Sequence, residues 1–224
     1  AYLLVICIAT WCLGWTAGQA VGIGCMFATF VINGVELYAG GSGGFVLDLA
    51  LRFVAISIII AVIAALRRAY VHEWWLARTD PLTGAFNRQA FFELSAGLAH
   101  HGKWRLMIYA DLDGLKKVND IQGHAAGDSA LKAYSAVIKR SIRMRDMFAR
   151  LGGDEFVVFM SVKDEVAARS VAARLHKTMN SVEGVDQEFL RCSVGGLIVP
   201  PGEKQIDDLV RHADNLMYQA KVKG

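Results

Sequence analysis

Charged side chains are nearly absent from the first 66 residues of this 224-residue chain, where only Glu36, Asp48 and Arg52 occur. The whole sequence has 24 Lys and Arg and 21 Asp and Glu, so 23 basic and 19 acidic residues remain from Arg67 onward. The mean hydropathy of +0.34 therefore averages two chemically different parts. This distribution excludes a uniform soluble domain and intrinsic disorder, and the lack of a Gly-X-Y period or of sustained heptads excludes a fibre.

Cysteine and histidine also lack the spacings that disulfide frameworks and metal sites need. Cys7, Cys12 and Cys25 lie in the apolar part, Cys192 is alone in the charged part, and no CxxC pair exists. We therefore expect reduced thiols in a reducing compartment, and we assign the six histidines no metal. The net charge of only +3, without a basic stripe, indicates no nucleic-acid partner.

The apolar part is too long for a single membrane helix. No charged side chain occurs between Ala1 and Val35, and one helix of that length would extend roughly 50 Å, whereas the hydrocarbon core is about 30 Å thick. Small and polar residues mark the expected break, namely Gly14, Thr16, Gly18 and Gln19. We expect one span ahead of the break and a second from about residue 18 to residue 38, with two spans in total within residues 1–66 as the alternative.

Residues 40–44 are glycine and serine, a composition that predicts a loop because glycine is costly to order in a helix. The clearest span follows, from Phe45 to Leu66. Asp48 and Arg52 lie in its first turns at a spacing of four, so they project from one face. We expect an interfacial ion pair there; the alternative is a transport site.

The basic pair Arg67 and Arg68 directly follows this span, and such pairs are retained on the cytoplasmic side. Residues 1–66 therefore predict a multi-pass protein of the inner (cytoplasmic) membrane, with lipid as a partner and the charged part in the cytoplasm. Because Ala1 is not methionine and lies within an apolar stretch, we expect it to be a cut point within a longer protein.

Residues 67–79 predict a connecting helix that ends at Asp80-Pro81, since proline disfavours helical geometry in the residue before it. The helix carries Trp74 and Trp75 on an apolar side. It could transmit rotation to the charged part or set the register of a dimer. A passive anchor with its tryptophans at the lipid headgroups is the alternative.

The charged part alternates between helical and strand patterns. Predicted helices are 87–101, 128–143, 164–180 and 206–222; predicted strands are 104–111, 148–151, 155–161 and 189–199. Gly152-Gly153 joins two of the strands, and such a dipeptide permits the positive backbone angles of a tight hairpin. Helices interspersed with an antiparallel hairpin indicate an α+β sandwich rather than a doubly wound parallel sheet.

Carboxylates gather where these predicted strands end. The first cluster is DLDGLKKVND at 111–120, and the second is GGDEF at 152–156. If the hairpin lies beside strand 104–111, Asp111 and Asp154 converge, and a hard divalent cation relieves their repulsion. Gly114 and Lys116 offer backbone N–H groups and an ammonium to a phosphate. Enzymes of phosphoryl or nucleotidyl transfer combine magnesium bound by carboxylates with a cationic phosphate-binding site.

Six motifs in order resemble the GGDEF domain of diguanylate cyclases. They are DPLTGAFNR at 80–88, DLDGLKKVND at 111–120, GHAAGD at 123–128, RLGGDEF at 150–156, SVGG at 193–196 and ADNLMYQAK at 213–221. The resemblance implies a GGDEF catalytic domain over 80–224 with a cyclase-like palm, a central antiparallel sheet flanked by helices. It also implies that two GTP molecules, one per subunit of a homodimer, are condensed into cyclic di-GMP with release of two pyrophosphates.

The resemblance also implies roles for individual residues. Metal ligands for Mg²⁺, with Mn²⁺ as an alternative, would be the Asp111 and Asp154 side chains, the Leu112 carbonyl and Glu155, whose other role would be to deprotonate the 3′-hydroxyl. Asn119 and Asp128 would recognise guanine, and Leu82 and Leu131 would wall the base. The β- and γ-phosphates would face Gly114, Leu115, Lys116 and Lys221.

Arg143 and Asp146 stand at the spacing of the family's inhibitory RxxD motif, which implies inhibition by the product cyclic di-GMP. Arginine can donate to guanine O6 and N7, and a carboxylate can accept from the base's N–H edge. An ordinary helix-end ion pair among Arg143, Arg145 and Asp146 is the alternative.

The sequence departs from the family pattern in two places. Gly114 and Leu115 stand where a bulkier residue and phenylalanine are common, and an arginine that contacts the triphosphate would follow Gly224. Two other functions remain open: a catalytically silent receptor for cyclic di-GMP, and a membrane scaffold. The complete metal and guanine set favours the cyclase over both.

Overall fold

The computed structural model describes residues 2–33, 41–99, 102–183, 189–202 and 205–223. The chain divides into two compact units, Ala1–Trp75 and Leu76–Gly224. The second unit begins a few residues before the predicted domain start at Asp80.

The described part of the first unit is helical. Helix α1 spans Tyr2–Leu13, α2 spans Trp15–Asn33 and α3 spans Gly41–Arg78. Two segments, 15–32 and 44–78, are long and apolar enough to cross a membrane by length and composition, and few of their residues are buried. Helix α3 runs without a break through the predicted span and the predicted connecting helix, and it ends just before Asp80-Pro81 as expected.

The first two helices form a tight antiparallel hairpin around Gly14. Its φ of +98° is a left-handed value that glycine adopts readily. A Cβ at Gly18 would lie 2.2 Å from the Thr10 hydroxyl, and one at Gly22 would lie 2.9 Å from a methyl group of Ile56. Glycines four residues apart thus allow close helix packing, as is typical of helices in lipid. The sequence predicted the break, but it is a single residue and α2 begins at Trp15 rather than near Gly18.

The loop predicted for residues 40–44 is wrong where the structure describes it, because Gly41 to Gly44 form the first turn of α3; Gly40 lies outside the described residues. A glycine costs about 1 kcal/mol in a helix relative to alanine. Adding a turn to an existing 38-residue helix requires no new nucleation.

The second unit is an α+β fold, as predicted. Its helices are α4 (Arg88–Ala99), α5 (Leu115–Gln122), α6 (His124–Ser141), α7 (Glu165–Met179) and α8 (Ile206–Lys223). Its strands are β1 (Trp104–Leu112), β2 (Met147–Arg150), β3 (Glu155–Val162), β4 (Val182–Glu183), β5 (Phe189–Leu190) and β6 (Cys192–Val199).

Four strands form an antiparallel sheet in the order β2-β3-β1-β6, with β1 and β3 at its centre. Successive side chains of β1 point to opposite faces. Leu106, Ile108 and Ala110 pack with α6 and α7, whereas Met107 and Tyr109 pack with α4 and α8. The sheet is therefore covered by helices on both faces, as the predicted palm requires.

Three details differ from the predicted layout. Helix α5 was not predicted, because its polar sequence has few apolar residues. Helix α6 begins at His124 rather than Asp128. The predicted strand 189–199 is two strands in different sheets, because β5 pairs with β4 while β6 pairs with β1.

Glycine at 195 allows α8 to lie directly on β6. A Cβ there would be 2.2 Å from the Ala213 carbonyl oxygen and 2.3 Å from the Met217 amide nitrogen, both backbone atoms that cannot move independently. Gly196, by contrast, has nothing within 4 Å of an added Cβ. The two neighbouring glycines therefore differ in their tolerance of a side chain.

We expect Gly195→Ala to destabilise the docking of α8 by about 1–3 kcal/mol, the usual cost of overpacking. Amide hydrogen exchange across residues 206–223 should become faster in this variant. Gly196→Ala is the matched control and should leave exchange unchanged; equal exchange in the two variants would contradict the steric argument.

Candidate active site

The site lies where the central strands end. Asp111 at the end of β1 is opposite Glu155 of β3 on one side and Ser193 of β6 on the other. The Leu112 amide donates to the Asp154 carbonyl oxygen at 3.0 Å. The predicted hairpin therefore does lie beside β1, and the acidic ends of the two clusters are neighbours along one edge of the fold.

An ion pair joins this edge to α8. Lys221 Nζ lies 2.6 Å from Asp111 Oδ1, and the aspartate side chain is only 11% exposed. The hydrogen bond to Asp111 raises the pKa of Lys221, and the negative charges of Asp111, Asp113 and Asp154 act in the same direction. Lys221 was expected from the sequence only as a phosphate contact; in this structure it neutralises the buried carboxylate.

Asp113 and Ser193 form a second polar contact that was not predicted. The Ser193 hydroxyl donates to the Asp113 carboxylate at 3.1 Å, and the Asp113 amide donates to the Arg191 carbonyl oxygen. The adjacency of SVGG to the acidic run was not visible in the sequence, because it depends on the β1–β6 pairing.

The chain turns from β1 into α5 at Gly114, whose φ of +78° is left-handed. Leu115 begins the helix and its side chain is buried, so only its backbone can face a phosphate. Lys116 is exposed. The first N–H groups of a helix lack intrahelical partners and carry partial positive charge. This turn therefore offers amides and an ammonium close to Asp111.

The two proposed guanine readers lie on adjacent helices. A Cβ at Gly127 would lie 1.9 Å from Asn119 Oδ1, so the Asn119 side chain rests against the backbone next to Asp128. Asp128 itself is exposed on α6. The two leucines expected to contact the guanine base are less accessible than Asp128. Leu131 is 4% exposed in the core, and Leu82 is half-buried against that core.

Arg150 fixes the hairpin that carries Asp154 and Glu155. Its guanidinium donates to the Gly153 carbonyl oxygen at 2.6 Å and to both Asp80 carboxylate oxygens at 3.1 and 3.2 Å. The sequence offered a signal for this pairing, since Asp80 and Arg150 each begin a motif of the resemblance. The predicted hairpin through Gly152-Gly153 is confirmed by the antiparallel pairing of β2 and β3, although neither glycine has the positive φ that the dipeptide permits.

Glu155 contacts both the hairpin and β1. Its Oε2 would lie 2.5 Å from a Cβ at Gly152, so a side chain there would displace the carboxylate. Burial raises the pKa of Tyr109, and the charge of Glu155 and a hydrogen bond to it raise that pKa further. The Tyr109 hydroxyl therefore lies in the negative field of Glu155.

The described residues contain no group of three or more His, Cys, Asp or Glu side chains placed to hold a metal ion. The donor chemistry still suits magnesium, because Asp111 and Asp154 are hard oxygen ligands on adjacent chain segments. A cationic ammonium already contacts Asp111, so this position favours positive charge.

Residues 143–146, the RxxD segment, form a turn held by two local hydrogen bonds. The Arg143 amide donates to the Asp146 carboxylate at 2.9 Å, and the Asp146 amide donates to the Arg143 carbonyl oxygen at 2.9 Å. In the part of the chain that the structure describes, no ion pair joins Asp146 to Arg143 or Arg145. The helix-end ion pair is therefore wrong, and both guanidiniums are on exposed residues.

Comparison with known proteins locates a family match over the second unit. The profile of the family described as "Diguanylate cyclase, GGDEF domain" matches residues 77–224. The probable diguanylate cyclase DgcT of Escherichia coli K12 is 34% identical over 157 residues, covering 66% of this chain and 34% of that protein. The cyclic di-GMP phosphodiesterase PdeR of the same strain is 35% identical over 162 residues, covering 70% of this chain and 24% of that protein. The chain thus spans a minor part of both relatives.

Solved structures resemble the same unit. The GGDEF domain of DgcB from Caulobacter crescentus, in complex with c-di-GMP, superposes with a TM-score of 0.57 at 26% identity. That match covers 66% of this chain and 92% of that chain.

The ion pair between Asp80 and Arg150 predicts that the unfolding free energy of the second unit depends on pH. Burial alone would raise the pKa of Asp80, but the Thr83 hydroxyl, the Thr83 amide and Arg150 together hold it below the ordinary value. A carboxyl with a lowered pKa stabilises the fold above its unfolded pKa of about 4, and that stability is lost as pH falls through the folded pKa.

We therefore expect Asp80→Asn to lower the unfolding free energy by about 1.5–3 kcal/mol at pH 7, the contribution of a hydrogen bond to a charged group. The difference from wild type should shrink as pH falls below about 4. Thermal unfolding midpoints between pH 7 and pH 3 measure this, with the exposed Asp120→Asn as control. A difference that persists undiminished at low pH would refute the charge contribution.

Proposed function

Because the chain belongs to the diguanylate cyclase GGDEF-domain family, we propose that it condenses two GTP molecules into cyclic di-GMP and two pyrophosphates. The observation that carries the proposal is the strand-end cluster, in which Asp111, Asp154 and Glu155 adjoin a lysine and a helix N-terminus. Nucleotidyl transfer requires carboxylates that bind a metal ion and cationic groups that bind phosphate, and this cluster contains both.

In the proposed reaction, the 3′-oxygen of each GTP attacks the α-phosphorus of the other. Each attack forms one phosphodiester bond and breaks one bond to pyrophosphate, while the hydroxyl proton passes to a base. Glu155 is the candidate base or an additional ligand. Two such transfers close the ring.

We propose Mg²⁺, with Mn²⁺ as the alternative, as the metal that would be held by the Asp111 and Asp154 carboxylates and the Leu112 carbonyl. When bound, it would neutralise charge on the phosphates and activate the attacking hydroxyl. Because the ammonium of Lys221 now pairs with Asp111, we infer that Lys221 turns to the triphosphate when nucleotide and metal bind.

The remaining residues would hold and select the nucleotide. Backbone N–H groups at Gly114 and Leu115, together with Lys116, would bind the β- and γ-phosphates. An amide and a carboxylate together can hydrogen-bond to the edge of guanine. We propose this role for Asn119 and Asp128, which lie on adjacent helices. Leu82 can contact the base from the surface, whereas the buried Leu131 would support it from beneath.

A homodimer is part of the proposal. Each site is proposed to bind one GTP, so the two reacting nucleotides must be brought together by two copies of the chain. Specific activity should therefore fall on dilution.

The membrane location is also proposed. In the first unit, many large apolar side chains are exposed, including Leu13, Ile32 and Leu66 at 59–73%. Apolar patches of this extent are unstable in water and are typical of contact with lipid. Arg67 and Arg68 then favour a multi-pass inner-membrane protein whose second unit lies in the cytoplasm.

A receptor for cyclic di-GMP is the second candidate. It is favoured by two observations: PdeR, named a phosphodiesterase, is as similar to this chain as DgcT is, and the DgcB domain binds c-di-GMP in its solved structure. A receptor would bind the dinucleotide without converting GTP.

Product analysis tests the cyclase directly. The purified chain in detergent, incubated with GTP and Mg²⁺, should yield cyclic di-GMP, identified by chromatography and mass spectrometry. Asp154→Ala removes a proposed ligand and should abolish the product, whereas the exposed Asp120→Ala should retain it. Failure to convert GTP, together with saturable binding of cyclic di-GMP, would favour the receptor.

Product inhibition tests the RxxD site. We expect Arg143→Ala to leave the initial rate intact and to raise the inhibition constant for cyclic di-GMP at least tenfold, since a charged hydrogen bond contributes about 1.5–3 kcal/mol. Arg145→Ala, an exposed arginine within the same turn, is the control. An inhibition constant that Arg143→Ala leaves unchanged would remove this site from the proposal.

A further inference from the structure

A basic cavity of about 590 Å³ lies between the helices of the first unit. Its lining includes two arginines, a histidine and two tryptophans, which are Arg67, Arg68, His72, Trp15 and Trp75. The described lining contains no acidic side chain. The cavity is unrelated to the strand-end cluster of the second unit, and the proposed cyclase reaction does not use it.

The positive groups share one face of α3. Arg68, His72 and Trp75 recur at spacings of four and three residues, so they point toward the same side of the helix, and the neighbouring Arg67 lines the same cavity. Glu73, the acid closest to them in sequence, is not part of the lining. The face is therefore positive without an internal counter-charge.

Arg67 is held in place at the end of α1. Its Nη2 lies 3.4 Å from the Cys12 carbonyl oxygen, and its Nη1 lies 3.6 Å from the Cβ position of Gly14. A guanidinium has five N–H donors, so this contact leaves most of them for a ligand.

The beginning of α2 borders the cavity. Trp15 is both the first residue of α2 and part of the lining. The first N–H groups of a helix lack intrahelical partners and attract anions. Guanidiniums bind phosphate oxygens in a bidentate way, and tryptophan is enriched at the depth of lipid headgroups.

We propose that this cavity binds an anionic phosphate group, carried either by a phospholipid headgroup or by a soluble phosphate compound. The two arginines supply the charge, the α2 N-terminus supplies amides, and the tryptophans flank the bound group. Basic pockets between membrane helices on the cytoplasmic side bind anionic headgroups in this manner.

Native mass spectrometry of the full chain in detergent tests the proposal, with phosphatidylglycerol and phosphatidylcholine as probes. We expect wild type to bind phosphatidylglycerol in preference to phosphatidylcholine. Arg67→Gln with Arg68→Gln should weaken phosphatidylglycerol binding about tenfold or more, since charged hydrogen bonds are lost. Arg67→Lys with Arg68→Lys keeps both positive charges and should retain most of the phosphatidylglycerol binding.

Arg52→Gln is the matched control, because it removes an arginine from the same helix whose guanidinium already pairs with Asp48 at 2.5 Å. It should not change lipid selectivity. Arg68→Gln alone, at an exposed residue, should give a partial loss without disturbing the fold, which circular dichroism would verify.

A second arm distinguishes the source of the phosphate. Inorganic phosphate that displaces phosphatidylglycerol would identify a site for soluble phosphate, and failure to displace it would identify a headgroup site. Equal binding of the two lipids, or phosphatidylglycerol binding that survives the Gln substitutions, would overturn the proposal.

Discussion

The close approach of α8 to β6 is the contact on which the candidate active site depends. It requires the absence of a side chain at Gly195, where a Cβ would meet the backbone of α8. Because the helix lies this close, its last turn brings Lys221 to the buried carboxylate of Asp111. The charge balance at the strand ends is thus set by a packing constraint on the face of the sheet that α8 covers.

A second constraint acts from the opposite side of the cluster. Arg150 joins the hairpin carbonyls to Asp80, just beyond the end of α3. The hairpin that presents Asp154 and Glu155 is held by charged hydrogen bonds between half-buried side chains, and such bonds are stronger than neutral ones. Neither contact involves the reacting groups themselves, yet both determine where those groups stand.

Much of this arrangement could be predicted from the sequence. Short apolar runs located β1 and β3, and the order of motifs indicated the family, so the strand-end carboxylates were expected to converge. Tertiary contacts decided the rest. Helix α5 was missed because it is only eight residues long and polar in composition. The split between β5 and β6 depends on pairing with β4. The role of Lys221 as partner of Asp111 required knowledge of how closely α8 packs. Residues 41–44 were mispredicted because local glycine propensity was weighed without the long helix that follows.

Phosphorus NMR of the purified chain with GTP and Mg²⁺ would follow nucleotidyl transfer at the strand-end cluster directly. The triphosphate signals should be replaced by one pyrophosphate signal and one phosphodiester signal, with one pyrophosphate for each phosphodiester bond formed. Release of inorganic phosphate without a phosphodiester signal, or a spectrum that does not change, would contradict nucleotidyl transfer at this site.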